Sequence, residues 1–168
     1  MMMETVHGST GVGVIYTAGV LAGSLGYFIF GKYSNLIGGS AGCYALIGAQ
    51  LGCVLLNWSE ENAIIIRRAR RNRKPHVFNG KLVRILKVLG LFLFILLDVV
   101  NDVTTSDSSI SIIAHVFGFI GGFLTGLLVV KNRKIEMWER RFKIIVTVAT
   151  LVYYLSGIIA NITIYHLK

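Results

Sequence analysis

The chain has 168 residues, room for a single domain, and 54% of them are apolar against 15% charged; a soluble domain carries about a quarter charged. Its 19 glycines are scattered, mostly through apolar runs, with no three-residue period, and there is one proline, so collagen-like and low-complexity chains are excluded. The net charge of +9 needs a cause, and its distribution along the chain supplies one.

A spanning helix needs roughly 20 apolar residues, and five runs approach this. Ahead of the first, Met1 to Gly13 lacks the basic start and apolar stretch of a cleavable signal peptide. The first run is Val12 to Phe30, with Gly19 and Gly23 one turn apart. The second is Ile37 to Leu56, interrupted near its start by Gly38-Gly39-Ser40. It holds both cysteines, Cys43 and Cys53. Ten residues of helix separate them by about 15 Å, too far for a disulfide, so they read as small buried hydrophobes. The third is Leu82 to Val100, with Lys87 near its start and Asp98 near its end. The fourth is Ile110 to Val130, with His115 near its start, and the fifth is Ile144 to Tyr165. A soluble bundle would show polar residues at helical period on each outer face, and these runs show almost none. The expected fold is all-α: one polytopic membrane helix bundle over residues 1–168, with five transmembrane helices.

Fifteen of the 17 Lys and Arg residues lie in two places. One is the connection between the second and third runs, with Arg67 to Lys74 (RRARRNRK), Lys81, Arg84 and Lys87. The other joins the fourth and fifth runs. Basic connections stay cytosolic. The N-terminus is therefore expected in the cytosol, and the starts of the second and fourth runs on the lumenal or exterior side. The basic stretch lacks aromatic interleaving for stacking bases. It reads as a topology determinant that also attracts anionic lipid, and no nucleic-acid partner is expected.

That topology brings Ser40 and His115 into the membrane from the same side. His115 lies five residues past Ile110, about 7 to 8 Å deep at helical rise, and Ser40 is slightly shallower. A histidine inside a span is costly and functional by default, although one bonded to a backbone carbonyl is the plainer alternative. Ser40 alone reads as an N-cap as readily as a nucleophile. The pair reads more sharply, because serine becomes nucleophilic next to a base. The helix start adds free N–H groups for an oxyanion, and Gly38 and Gly39 permit a tight turn and close substrate approach. Tyr44, at i+4 from Ser40, falls on the same face and is placed to hold a facing histidine ring. With no obvious carboxylate partner, the pair reads as a dyad. Gly118, Gly122 and Gly126 form a small-residue stripe on the His115 helix, a packing device that draws helices close. No pair of histidines or cysteines has zinc-ligand spacing, and no metal or cofactor is expected. A channel or transporter would want ionisable groups lining several helices; only Asp98 is a candidate.

These motifs resemble the rhomboid intramembrane serine protease family, its animal branch in particular. The family carries Gly-x-Ser-Gly at one helix start and Ala-His-x-x-Gly-x-x-x-Gly on another. Here stand Gly38-Gly39-Ser40-Ala41, followed by Tyr44-Ala45-Leu46, and Ala114-His115 with Gly118 and Gly122. Tyr16 to Leu25 is similar to the family's third helix. The resemblance implies that the first four runs match the third to sixth core helices and that the fifth is the extra helix of the animal layout. It implies a Ser40 nucleophile and a His115 base that cleave peptide bonds in or near transmembrane segments of single-pass membrane proteins. Two departures stand out: Ala41 replaces the motif glycine, and no counterpart of the first two core helices, one of which supplies a histidine and an asparagine to the oxyanion site, is present. On that ground the 168-residue chain alone is expected to be nearly inactive. The alternative is a catalytically inactive relative that binds or retains membrane clients.

Overall fold

A computed structural model of the chain describes residues 2–30, 39–56, 80–104, 109–129 and 137–166. They form five helices: α1 (Met2–Phe30), α2 (Ser40–Leu56), α3 (Gly80–Thr104), α4 (Ser109–Val129) and α5 (Met137–His166). α1, α3 and α5 contain the first, third and fifth apolar runs whole, and α2 and α4 hold the described part of the second and fourth apart from Gly39. The helices outlast several of the runs, because a helix satisfies its own backbone and need not stop where apolar side chains do. α5 begins seven residues before Ile144, and α1 extends back to Met2 through a kink at Gly8. Gly8 has φ +79°, a left-handed conformation that glycine adopts without steric cost. Gly38 and the basic stretch Arg67 to Lys74 lie outside the described residues.

Among the described residues, three stretches are long and apolar enough to cross a membrane: Gly8–Phe30, Ile112–Val129 and Arg141–His166. α2 is apolar but has 17 residues, and α3 interrupts its apolar run with Lys87 and Asp98. The chain is a helical membrane bundle.

α4 is the centre of the bundle and packs on both α1 and α2, which also pack on each other. α5 lies outside, against α1 and α4, and α3 touches α2 and α4 at the edge. Apolar solvation gives little drive between helices in lipid, so close van der Waals packing of small residues has to hold them. The α4 stripe meets alanines of α2. A β-carbon on Gly118 would lie 2.5 Å from the Ala41 carbonyl oxygen, and one on Gly126 would lie 2.6 Å from the Ala49 Cα. Between them, one on Gly122 would collide with the Ala45 backbone. From the other side, Gly19 and Gly23 of α1 face Ala45 and Ala41. α1 and α4 thus close on one row of α2 alanines, and Ala45, Ala49 and Ile15 are fully buried.

The outer surfaces are apolar. Phe92, Phe94 and Leu97 on α3, and Ile145, Val152 and Ile159 on α5, are among the exposed side chains. α5 instead carries polar anchors. The Tyr153 hydroxyl donates to the Phe117 carbonyl at 2.9 Å, the Tyr154 hydroxyl to Ala18 at 3.0 Å, and the Asn161 amide to Leu25 at 3.1 Å. The buried hydroxyls of Thr125 and Thr150 bond back to their own helix at Gly121 and Val146, so neither is left unsatisfied.

Candidate functional site

The site forms where the first turn of α2 meets the second turn of α4. Gly39 precedes α2, and its carbonyl accepts from the N–H of Gly42 at 3.0 Å. Gly39 therefore sits at the N-cap and Ser40 in the first helical position. The Ser40 side chain is not the cap. Its Oγ lies 2.9 Å from His115 Nε2. By helix geometry, the first N–H groups of α2 have no intrahelical acceptor and stand beside that hydroxyl with the positive end of the helix dipole.

Ser40 is exposed and His115 is buried, with 8% of its surface accessible. The Ser40 hydroxyl thus stands at the surface with the imidazole beneath it. Gly118, one turn below His115, lies flat on the Ala41 backbone, which is the next residue after Ser40. The close approach of α4 to α2 at this point sets the Ser40–His115 distance.

The Tyr44 ring stacks on the His115 imidazole, with centroids 4.3 Å apart and planes 11° from parallel. It shields one face of the ring and limits its rotation. The Tyr44 hydroxyl then reaches α3 and donates to Asp98 Oδ2. The same carboxylate oxygen is 3.7 Å from His115 Nδ1. A carboxylate thus stands beside the Ser40–His115 pair, at a distance beyond a hydrogen bond. α3 turns Asp98 toward the far edge of the imidazole, and four side chains, Ser40, His115, Tyr44 and Asp98, form one connected polar cluster. Spacing alone shows only an aspartate at the end of an apolar run, because the rotation of α3 decides where it points.

Two neighbours complete the site. Tyr16 of α1 lays its ring over Gly42 and its hydroxyl beside Gly39, where β-carbons would collide with it. Glycines at i and i+3 therefore form the seat that holds Tyr16 against the start of α2; the repeated small residue was the available signal. Ala41 is buried at 3% accessibility. Its methyl group points at Gly23 of α1, while its backbone faces Gly118. The extra methyl is accommodated by the missing side chain at Gly23. Gly122 and Gly126 lie deeper along α4, away from the reactive groups, and serve the helix interface. Among the described residues, no group of His, Cys, Asp and Glu could hold a metal ion.

Comparison with known proteins places this geometry in a family. Residues 1–132 match the family model described as the rhomboid domain. Rhomboid-related protein 1 of Caenorhabditis elegans is 33% identical over 135 residues, covering 77% of this chain and 32% of that protein. Rhomboid-related protein 3 of Homo sapiens is 44% identical over 57 residues, covering 34% of this chain and 14% of that protein. Rhomboid-related protein 2 of Mus musculus is 47% identical over 58 residues, covering 34% and 19%. The chain spans a third or less of the length of these relatives. No solved structure matches it. With the family model covering most of the sequence, over a helical membrane bundle that brings its serine and histidine motifs together, the chain belongs to the rhomboid family.

Proposed function

We propose that this chain carries the reactive centre of an intramembrane serine endopeptidase, with Ser40 as nucleophile and His115 as general base and acid. The observation that supports the reading is the 2.9 Å approach of Ser40 Oγ to His115 Nε2. An exposed hydroxyl within hydrogen-bond reach of a buried imidazole meets the geometric requirement for proton abstraction.

In the first step Ser40 Oγ bonds to the scissile carbonyl carbon while its proton passes to His115 Nε2. The negative charge that builds on the carbonyl oxygen falls near the first-turn N–H groups of α2, Ser40's own among them. As the tetrahedral species collapses, the C–N bond breaks and His115 returns the proton to the leaving amine. Water then attacks the Ser40 ester by the same route, and the acid is released. Tyr44 keeps the imidazole in plane for both transfers. The substrates are single-pass membrane proteins cut near the lumenal or exterior end of their helix, where the basic connections of this chain would place Ser40.

The experiment is cleavage of a single-pass reporter in proteoliposomes by the protein that contains this segment, beside its Ser40→Ala and His115→Ala variants. Cleavage lost in both variants is expected. Undiminished cleavage by Ser40→Ala refutes the reading, and binding of the reporter without cleavage by the unsubstituted protein favours a client-retaining role instead.

A further inference from the structure

A neutral imidazole serves as the base for Ser40 only in one of its two tautomers. Nε2 must present its lone pair to the hydroxyl, so the ring proton must sit on Nδ1. Which tautomer is present is set by what the other nitrogen meets. At His115 the carboxylate of Asp98 lies 3.7 Å from Nδ1. A carboxylate accepts hydrogen bonds and cannot donate one, so it favours a proton on Nδ1.

Asp98 is itself held in place. The Tyr44 hydroxyl donates to the same oxygen that faces His115, while the Tyr44 ring stacks on the imidazole. One tyrosine therefore fixes both the ring and its carboxylate neighbour. Lys87, the nearer of the two basic residues within the third apolar run, stands eleven residues away on α3, about 16 Å at helical rise, and cannot serve as the partner. An aspartate in a membrane helix is costly unless something compensates it, and the Tyr44–His115 cluster is the compensation visible here.

We propose that Asp98 is a positioning residue for the reaction: held by the Tyr44 hydroxyl, its carboxylate fixes the Nδ1–H tautomer of His115 and so leaves Nε2 free to take the Ser40 proton. The role in reaction rests on Ser40 and His115 being the reactive pair; the effect on the tautomer does not.

The test reads the tautomer directly. The chain is prepared with ¹⁵N-histidine and reconstituted in lipid, and the His115 ring nitrogens are assigned by their loss in His115→Gln. At neutral pH the expected spectrum has a protonated Nδ1 and an unprotonated Nε2. Asp98→Ala, and Asp98→Leu as an apolar variant suited to a lipid-facing helix, should move His115 toward the Nε2–H form that imidazoles otherwise prefer. In parallel, the rate at which a fluorophosphonate labels Ser40 should fall roughly 10- to 1000-fold in both variants. That is less than the ~10⁴-fold of a direct aspartate–histidine bond in soluble serine proteases, because 3.7 Å exceeds a hydrogen-bond length. Asp98→Glu should restore part of the rate. An Nε2–H ring in the unsubstituted chain, or a tautomer unchanged in either folded variant, overturns the proposal. The expected tautomer without any Ser40 labelling would instead count against the protease reading and leave the Asp98–His115 linkage standing.

Discussion

The sharpest consequence of the packing is that one methyl group on α4 should disable the site while an equal one two turns away should not. In Gly118→Ala the new β-carbon would lie 2.5 Å from the Ala41 carbonyl oxygen and 3.0 Å from the Ala41 Cα. Real β-carbon contacts essentially never fall below 3.0 Å and rarely below 3.4 Å, so α2 and α4 must separate locally by roughly 0.5–1 Å. Ala41 is bonded to Ser40, and His115 sits one turn above Gly118, so the separation falls on the Ser40–His115 pair. Its 2.9 Å would stretch to between ~3.4 and ~3.9 Å, beyond a productive hydrogen bond. Gly126→Ala meets Ala49 at 2.6 Å, a comparable overlap, but eight residues deeper, about 12 Å away along the helix. Both variants should lose about 1–3 kcal/mol of stability through overpacking, whereas only Gly118→Ala should lose Ser40 reactivity, by tenfold or more. The assay pairs thermal unfolding in detergent with the rate of Ser40 fluorophosphonate labelling. Equal labelling losses in the two variants, or a wild-type rate in Gly118→Ala, would refute the claim that this contact sets the site.

Other outcomes follow from particular contacts. Gly90 has open space where a β-carbon would go, so Gly90→Ala should stabilise α3 by up to about 1 kcal/mol, read in the same unfolding assay. Tyr44→Phe removes the bond to Asp98 but keeps the stacked ring. It should slow Ser40 labelling several-fold and leave unfolding nearly unchanged, whereas Tyr44→Ala should be worse on both counts. Tyr154→Phe and Asn161→Leu each delete one anchor of α5 on α1. Each should cost about 0.6 kcal/mol, the usual worth of such bonds between membrane helices, in a denaturant titration. The Ser40→Ala, His115→Ala double variant should cleave a reporter no more slowly than either single variant, because the two groups act as a unit.

The helices are legible in the sequence because membrane spans are marked by length and hydropathy alone, and each of the five helices coincides with most of one apolar run. Tyr44 beside His115 is legible for a similar reason, since i and i+4 share a helix face whatever surrounds it. The α4 stripe is legible as a stripe, but not its partner. The glycines meet α2 alanines 41, 45 and 49 rather than the α2 glycines 48 and 52, because the rotation of α2 is set by three helices at once. The same limit hides Asp98 and Tyr16, whose roles depend on which face of α3 and α1 turns inward. The anchors of α5 are hidden for a different reason: Tyr153, Tyr154 and Asn161 bond to backbone carbonyls inside other helices, and a carbonyl leaves no mark in side-chain pattern. The substitution at Ala41 looks like overpacking in sequence and is relieved in space by Gly23.

The most direct test of the central claim is mass spectrometry of the lipid-reconstituted protein that contains this segment after exposure to a fluorophosphonate. A single adduct on Ser40, absent from Ser40→Ala and reduced by roughly 10²–10⁴-fold in rate in His115→Ala, is the predicted result. A folded chain with no adduct at Ser40, or an adduct that forms as fast without His115, would contradict it.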